Sequence, residues 1–229
     1  MQDIREVFVL GERDHDPVVV SPGQIAKELL DMGYQVDCVS PCPFLKQRAS
    51  ELLGGRSRVF ECFYEDLETA NRYDLVLFCE SLQYIDLEKA LSNTSKFLNN
   101  GGYLLICDVF SKDIVGKEVM SGGHKLAKFY GLIEKSPFRL IENVDITEET
   151  APNMDLLNDV LEKVVGPVVK AGIRLFESRH PIALKLLRWR YRKKIDKLHG
   201  KYLGGGKTGE EFKKYKSYQL FLYKKGTQE

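Results

Sequence analysis

Apolar runs of strand length alternate with apolar positions at helical spacing through the first 145 residues. Glu6–Leu10 is a short apolar strand. Pro22–Met32 reads as a helix, with Ser21 placed to cap it, Pro22 suited to its first turn, and Ile25, Leu29 and Met32 on one face. Gly33 ends it. Gln35–Val39 is a second strand, Phe44–Leu53 a helix closed by Gly54-Gly55, and Val59–Phe63 a third strand. Asp74–Phe78 is the most apolar strand. Leu87–Leu98 follows as a helix that turns Leu87, Ala90, Leu91, Thr94 and Leu98 inward. A Gly101-Gly102 turn leads to a fifth strand, Tyr103–Val109, then a helix over Lys125–Glu134 and a sixth strand, Phe138–Asp145. This alternation predicts an α/β fold, with helices on both faces of a mostly parallel sheet.

After Thr150 the pattern changes. Met154–Val165 is helical in period and groups Leu157, Val160, Leu161 and Val164. Val168–Phe176 and Ile182–Leu198 are also helix-like. Gly204-Gly205-Gly206 breaks the run, Glu210–Lys216 is a short helix, and Ser217–Tyr223 alternates as a last strand. Residues 150–216 separate that strand from Phe138–Asp145, far beyond ordinary loop length. The chain is therefore expected to be one domain, 1–229, with 150–216 as a helical insertion or cap.

Bulk composition narrows the class. A chain of 229 residues with 43% hydrophobic and 29% charged content suits one soluble domain with a sizeable insertion. No apolar run approaches the ~20 residues that span a bilayer. The first residues run into a strand without a signal peptide's apolar region, so a cytoplasmic protein is expected. Of the five cysteines, Cys38 and Cys42 lie close together, but no second Cys/His pair completes a zinc set, and no metal site is expected. The net charge of +1 hides an asymmetry: residues 151–229 hold 18 Lys and Arg against 8 Asp and Glu. Within that part, 185–197 mixes basic residues with Leu186, Leu187, Trp189 and Tyr191. Either its apolar residues pack inward under basic stems, or it rests on an anionic surface such as lipid. There is no strong nucleic-acid signal.

Candidate chemistry collects where the strands end. Cys79, Glu80 and Ser81 follow the fourth strand, and Gln83 and Tyr84 come next. Ligands of parallel sheets bind at such carboxyl ends. Histidine as a residue type suits a general base, so His124, after Gly122-Gly123, is a candidate; its plainer reading is a surface histidine at a helix start. The first strand opens into Gly11-Glu12-Arg13-Asp14-His15.

These residues, in this order, resemble the class I S-adenosylmethionine-dependent methyltransferases, most clearly from Tyr34 to Asp145, and look nearest to the ubiquinone and sterol type. The resemblance implies a Rossmann-like seven-stranded sheet with an antiparallel last strand, and S-adenosyl-L-methionine as cofactor. Gly11 matches the first glycine of the family's Gly-x-Gly-x-Gly loop, with Glu12 beside it. Arg13 and His15 stand where the other two glycines belong. Ser40 and Pro41 take the place of the ribose-binding acid after strand two. Glu65 and Asp66 match the adenine segment, or else form a solvated turn. Glu80 and Ser81 would hold the methionyl end. Gln83, Tyr84 and Tyr130 would face the acceptor, Gln83 and Tyr84 being equally readable as packing. The implied function is methyl transfer to oxygen or carbon of a small or lipid-like acceptor. The alternative is a methyltransferase-like protein without cofactor binding that serves as a partner-binding or regulatory subunit.

Overall fold

The computed structural model describes residues 5–9, 23–114, 122–180, 189–192 and 208–226. The described residues form two compact units, one holding the sheet and the other the helices that follow it.

In the first unit β1 (Arg5–Val9), β2 (Gln35–Val39), β3 (Arg58–Phe60), β4 (Tyr73–Cys79), β5 (Leu98–Ser111), β6 (His124–Lys125), β7 (Phe138–Asp145) and β8 (Lys216–Lys225) make one sheet. Its order is β3-β2-β1-β4-β5-β8-β7, with β6 paired to β5 off that path. β1 pairs in parallel with both β2 and β4, β2 with β3, β4 with β5, and β5 with β6. β7 and β8 run antiparallel, Asp145 opposite Gln219. The expected pairing of the last two long strands is therefore present. The expected count of seven strands is not met, because two residues after Gly122-Gly123 add an eighth. The chain leaves β1 towards β2 on one side and returns to β4 on the other. Ligand crevices of open parallel sheets form at such a reversal.

α1 (Gln24–Asp31), α2 (Pro43–Leu53), α3 (Leu87–Phe97) and α4 (Leu126–Ile133) connect the strands. One face of the sheet packs Val76, Phe78, Leu104, Ile106, Phe110 and Phe221 with Leu87 and Leu91 of α3 and Phe129 of α4. The other packs Val36, Cys38 and Leu77 with Ala26 of α1 and Ala49 and Leu53 of α2. Successive strand residues supply opposite faces, as the pleat requires. Asp86 caps α3 by accepting the Lys89 N–H at 3.1 Å, and every residue expected inward on that helix is buried. α1 differs from expectation. It starts at Gln24, and Leu29 faces the sheet as expected, with Ala26 and Leu30, while Ile25 and Met32 are exposed. The Gly101-Gly102 turn is also revised: it lies inside β5, where the register with β4 slips between Tyr73 and Leu75 and Gly101 takes φ +77. A side chain on Gly102 would meet the Asn99 and Asp74 carbonyls at 3.0 and 3.2 Å.

The second unit contains α5 (Thr147–Val160), a π-helical turn over Leu161–Val165, α6 (Gly166–Arg179) and α7 (Gly209–Tyr215). α7 meets α5 at Gly209, whose N–H donates to Asp155 at 2.7 Å and whose missing Cβ would strike the Ala151 carbonyl at 2.8 Å. That contact lies upstream of Leu157, Val160 and Val164, which are exposed rather than grouped inward. Of the basic segment 185–197 only 189–192 are described. Trp189 is 77% exposed, against an inward-packing reading, and nothing there supports an anionic surface. Gly204-Gly205-Gly206 lies outside the described residues. No described helix is long and apolar enough to cross a membrane.

Candidate functional site

Cys79, the last residue of β4, pairs with Cys107, so β5 runs four residues further than its neighbour. The overhang, Asp108–Ser111, stands alongside the turn that β4 enters. That turn begins with Glu80, the only described non-glycine residue with positive φ, at 52°. A left-handed backbone costs an ordinary residue about 1 kcal/mol or more. It is held here by the Glu80 N–H, which donates to the Cys107 carbonyl at 2.8 Å. A short 3-10 helix, Leu82–Tyr84, follows.

Two side chains from outside fix this turn. Asp108, 1% exposed, accepts the Val109 N–H at 2.8 Å and the Gln83 N–H at 3.2 Å, and also bonds the Leu82 N–H. Burial pushes its carboxyl up to about 7, against the opposing pull of those donors. From the other side, His124 Nε2 lies 3.0 Å from the Leu82 carbonyl oxygen and 2.8 Å from that of Ile85. Carbonyls only accept, so Nε2 carries a hydrogen and donates it. That leaves Nδ1 as the ring atom able to take a proton. His124 reaches this place because β6 pairs Phe110 with His124, and Gly122-Gly123 lets the strand approach. Gly123 has φ +75, and a Cβ there would sit 2.6 Å from the Val109 carbonyl oxygen.

Ser81 is fully buried, and its hydroxyl has no hydrogen-bond partner among the described residues. A buried hydroxyl left so costs roughly 1–3 kcal/mol, which a bound polar group would recover. Beside it, the Glu80 carboxylate accepts a 2.6 Å hydrogen bond from the Tyr218 hydroxyl of β8. Tyr218 in turn accepts from the Cys107 thiol at 3.7 Å. The two neighbouring thiols shift each other, which holds Cys107 down, to about 7, and Cys79 up.

The other expected residues lie at neighbouring strand ends. Ser40 is buried after β2, with its N–H on the Phe60 carbonyl at 3.0 Å and its hydroxyl oxygen accepting the Cys42 N–H at 3.3 Å. Pro41 follows, half-buried. Beyond β3, Asn93 donates to the carbonyls of Tyr64 and Glu65 at 3.1 and 3.0 Å, holding a 3-10 turn on which Asp66 is exposed. One Glu65 carboxylate oxygen accepts the Asp86 N–H at 3.4 Å.

The structure thus brings Glu80, Ser81, Gln83 and His124 together around one turn, with Tyr84 on its outer side. Tyr130 keeps different company: its ring meets Phe129 and Phe221, 6.0 and 5.9 Å between centroids. Gly11 and Glu12, with Arg13 and His15, lie outside the described residues. Sequence reasoning missed Asp108 and Tyr218. A lone aspartate inside the apolar run Leu104–Phe110 was the available signal for the first. Nothing local in Ser217–Tyr223 pointed to the second, which acts across 138 residues.

Residues 18–106 match the family model of a methyltransferase domain. This match and the strand order bear out the resemblance read from the sequence. Comparison with curated protein sequences gives no match. Among solved structures, geranyl diphosphate C-methyltransferase from Streptomyces coelicolor A3(2), in complex with Mg2+, geranyl-S-thiolodiphosphate and S-adenosyl-L-homocysteine, aligns with TM-score 0.61 at 14% identity. The alignment covers 97% of this chain and 70% of that one. The O-methyltransferase of a trans-AT PKS multienzyme of Brevibacillus brevis, in complex with S-adenosyl-L-homocysteine, aligns with TM-score 0.58 at 16% identity, covering 97% and 67%. The [4+2]-cyclase SpnF aligns with TM-score 0.63 at 14% identity, covering 98% and 76%. At these identities the shared property is the methyltransferase fold.

Proposed function

We propose that this methyltransferase domain binds S-adenosyl-L-methionine and transfers its methyl group to oxygen or carbon of a small or lipid-like acceptor. The observation that carries the reading is the buried Ser81 hydroxyl, unpartnered among the described residues, in the turn that leaves β4 beside the sheet's reversal point. Ser81 and Glu80 would hold the polar methionyl end. Ser40 has a hydroxyl hydrogen to offer a ribose oxygen, since its oxygen already accepts from Cys42. Glu65 and Asp66 would border the adenine. The cofactor supplies a methyl group on an already activated sulfonium, so the protein has chiefly to align two reactants and exclude water. Asp108 and His124 serve that alignment by fixing the backbone from Glu80 to Ile85. For a hydroxyl acceptor, Nδ1 of His124 is the base. Gln83 and Tyr84 face the acceptor in this reading.

The structural neighbours named as O- and C-methyltransferases support the acceptor class. A transfer assay with methyl-labelled cofactor across phenols, carboxylic acids, prenyl phosphates and enolisable ketones tests it. Label is expected in one of these classes, and a folded, cofactor-binding sample that labels none of them contradicts the acceptor assignment.

A second reading keeps the fold without methyl transfer. Arg13 and His15 in place of two loop glycines favour it, and a chain of this fold that is named a cyclase shows that the architecture alone does not fix the chemistry. Here the domain would bind a partner or regulate one. Binding of the cofactor by the wild-type chain separates the two readings.

A further inference from the structure

Cys79 and Cys107 are register partners on adjacent parallel strands. Neighbouring strands run about 4.8 Å apart, and paired residues place their side chains on the same face. That spacing falls within the roughly 4.4–6.8 Å between Cα atoms that a disulfide spans. Both thiols are free and half-buried, and both stand where β4 ends. The neighbouring Cys79 thiol favours the Cys107 thiolate against the effect of burial. A thiolate is the reactive form, and a second thiol within contact resolves the first oxidation product. The other cysteines lack this arrangement. Cys38 is buried, with its thiol pushed up to about 11, and Cys62 is also raised by burial.

We propose that Cys79 and Cys107 form a redox-reactive dithiol that closes to a disulfide under peroxide. Cys107, its proton released to solvent, attacks one peroxide oxygen. The O–O bond breaks, a sulfenic acid forms, and the departing hydroxide takes up a proton to leave as water. The Cys79 sulfur then attacks the sulfenic sulfur. The S–O bond breaks, the S–S bond forms, and the hydroxyl leaves as a second water with the Cys79 proton. The two thiols together lose two electrons to the peroxide. Closure also takes from Tyr218 the thiol that now donates to it, and so reaches the Glu80 carboxylate that Tyr218 holds. This inference does not rest on methyl transfer.

The test uses the reduced full-length chain, treated with hydrogen peroxide, alkylated, and digested with trypsin without reduction. Cleavage after Arg72, Lys89, Lys96 and Lys112 isolates Cys79 in peptide 73–89 and Cys107 in peptide 97–112. The expected result is a linked 73–89/97–112 pair and the loss of two alkylatable thiols. In Cys79→Ser, with no resolving thiol, dimedone is expected to trap a sulfenic acid on Cys107. Recovery of both wild-type peptides as alkylated monomers while Cys42 or Cys62 is oxidised overturns the proposal. So does sulfinic acid on Cys107 without the cross-link.

Discussion

Ser81 and Asp108 carry opposite signatures, each legible in one substitution. Removing the Ser81 hydroxyl deletes a buried group that has no partner among the described residues, so Ser81→Ala is expected to keep or slightly raise the melting temperature. In the proposed site the same change costs one hydrogen bond to the cofactor, a loss of about tenfold in affinity for S-adenosyl-L-homocysteine. Unchanged affinity would remove Ser81 from the site. Asp108 has a carboxyl raised from 3.8 to about 7 by burial. Between those pH values the folded chain holds a proton that the unfolded chain has lost. Its contribution to stability is therefore full below about pH 4 and falls as pH rises to about 7, by at most about 4 kcal/mol. Denaturation across that range is expected to show this decline in wild type and its absence in Asp108→Asn. Of these residues the sequence marked Ser81 by position alone. Asp108 was missed, because its partners are backbone N–H groups whose placement depends on the overhang of β5. His124 was chosen for its titration. The structure gives it a second task, holding two carbonyls, that no spacing in the sequence announces.

At the scale of elements, the join between β5, β6 and the turn after β4 leaves no room for a side chain at Gly123. Gly123→Ala places a Cβ 2.6 Å from the Val109 oxygen at φ +75, so a loss of about 2 kcal/mol or more is expected on denaturant unfolding. Phe129 is buried against Phe110 and Phe221, with centroids 5.1 and 5.3 Å away, and Phe129→Ala is expected to cost about 3–5 kcal/mol. Ile141 on β7 is 51% exposed, and its alanine variant should stay within about 0.5 kcal/mol. Equal losses at the two positions would mean that the aromatic cluster is not the core. α3 was legible because it buries one regular face: Leu87, Ala90, Leu91 and Thr94 could be read inward from period alone. The Gly101-Gly102 turn misled because paired glycines suit a bulge as well as a chain reversal. Leu157, Val160 and Val164 are exposed, because helical period shows which residues share a face, not whether anything covers it.

For the whole molecule, the order β3-β2-β1-β4-β5-β8-β7 is that of the methyltransferase fold, and residues 18–106 match the model of a methyltransferase domain. The antiparallel pairing of β7 with β8 was expected from the family resemblance rather than from either strand's own pattern, and it is present. Two features were beyond a linear reading: the eighth strand, only two residues long, and the relay from Cys107 through Tyr218 to Glu80, whose members lie on β5, β8 and the turn after β4. Whether the loop bearing Arg13 and His15 still admits a nucleoside decides between the enzymatic and the partner-binding readings. Titration calorimetry of the folded wild-type chain with S-adenosyl-L-homocysteine measures this most directly. The account predicts saturable one-site binding, weakened in Ser81→Ala. A folded sample that takes up no ligand at about millimolar concentration would contradict it.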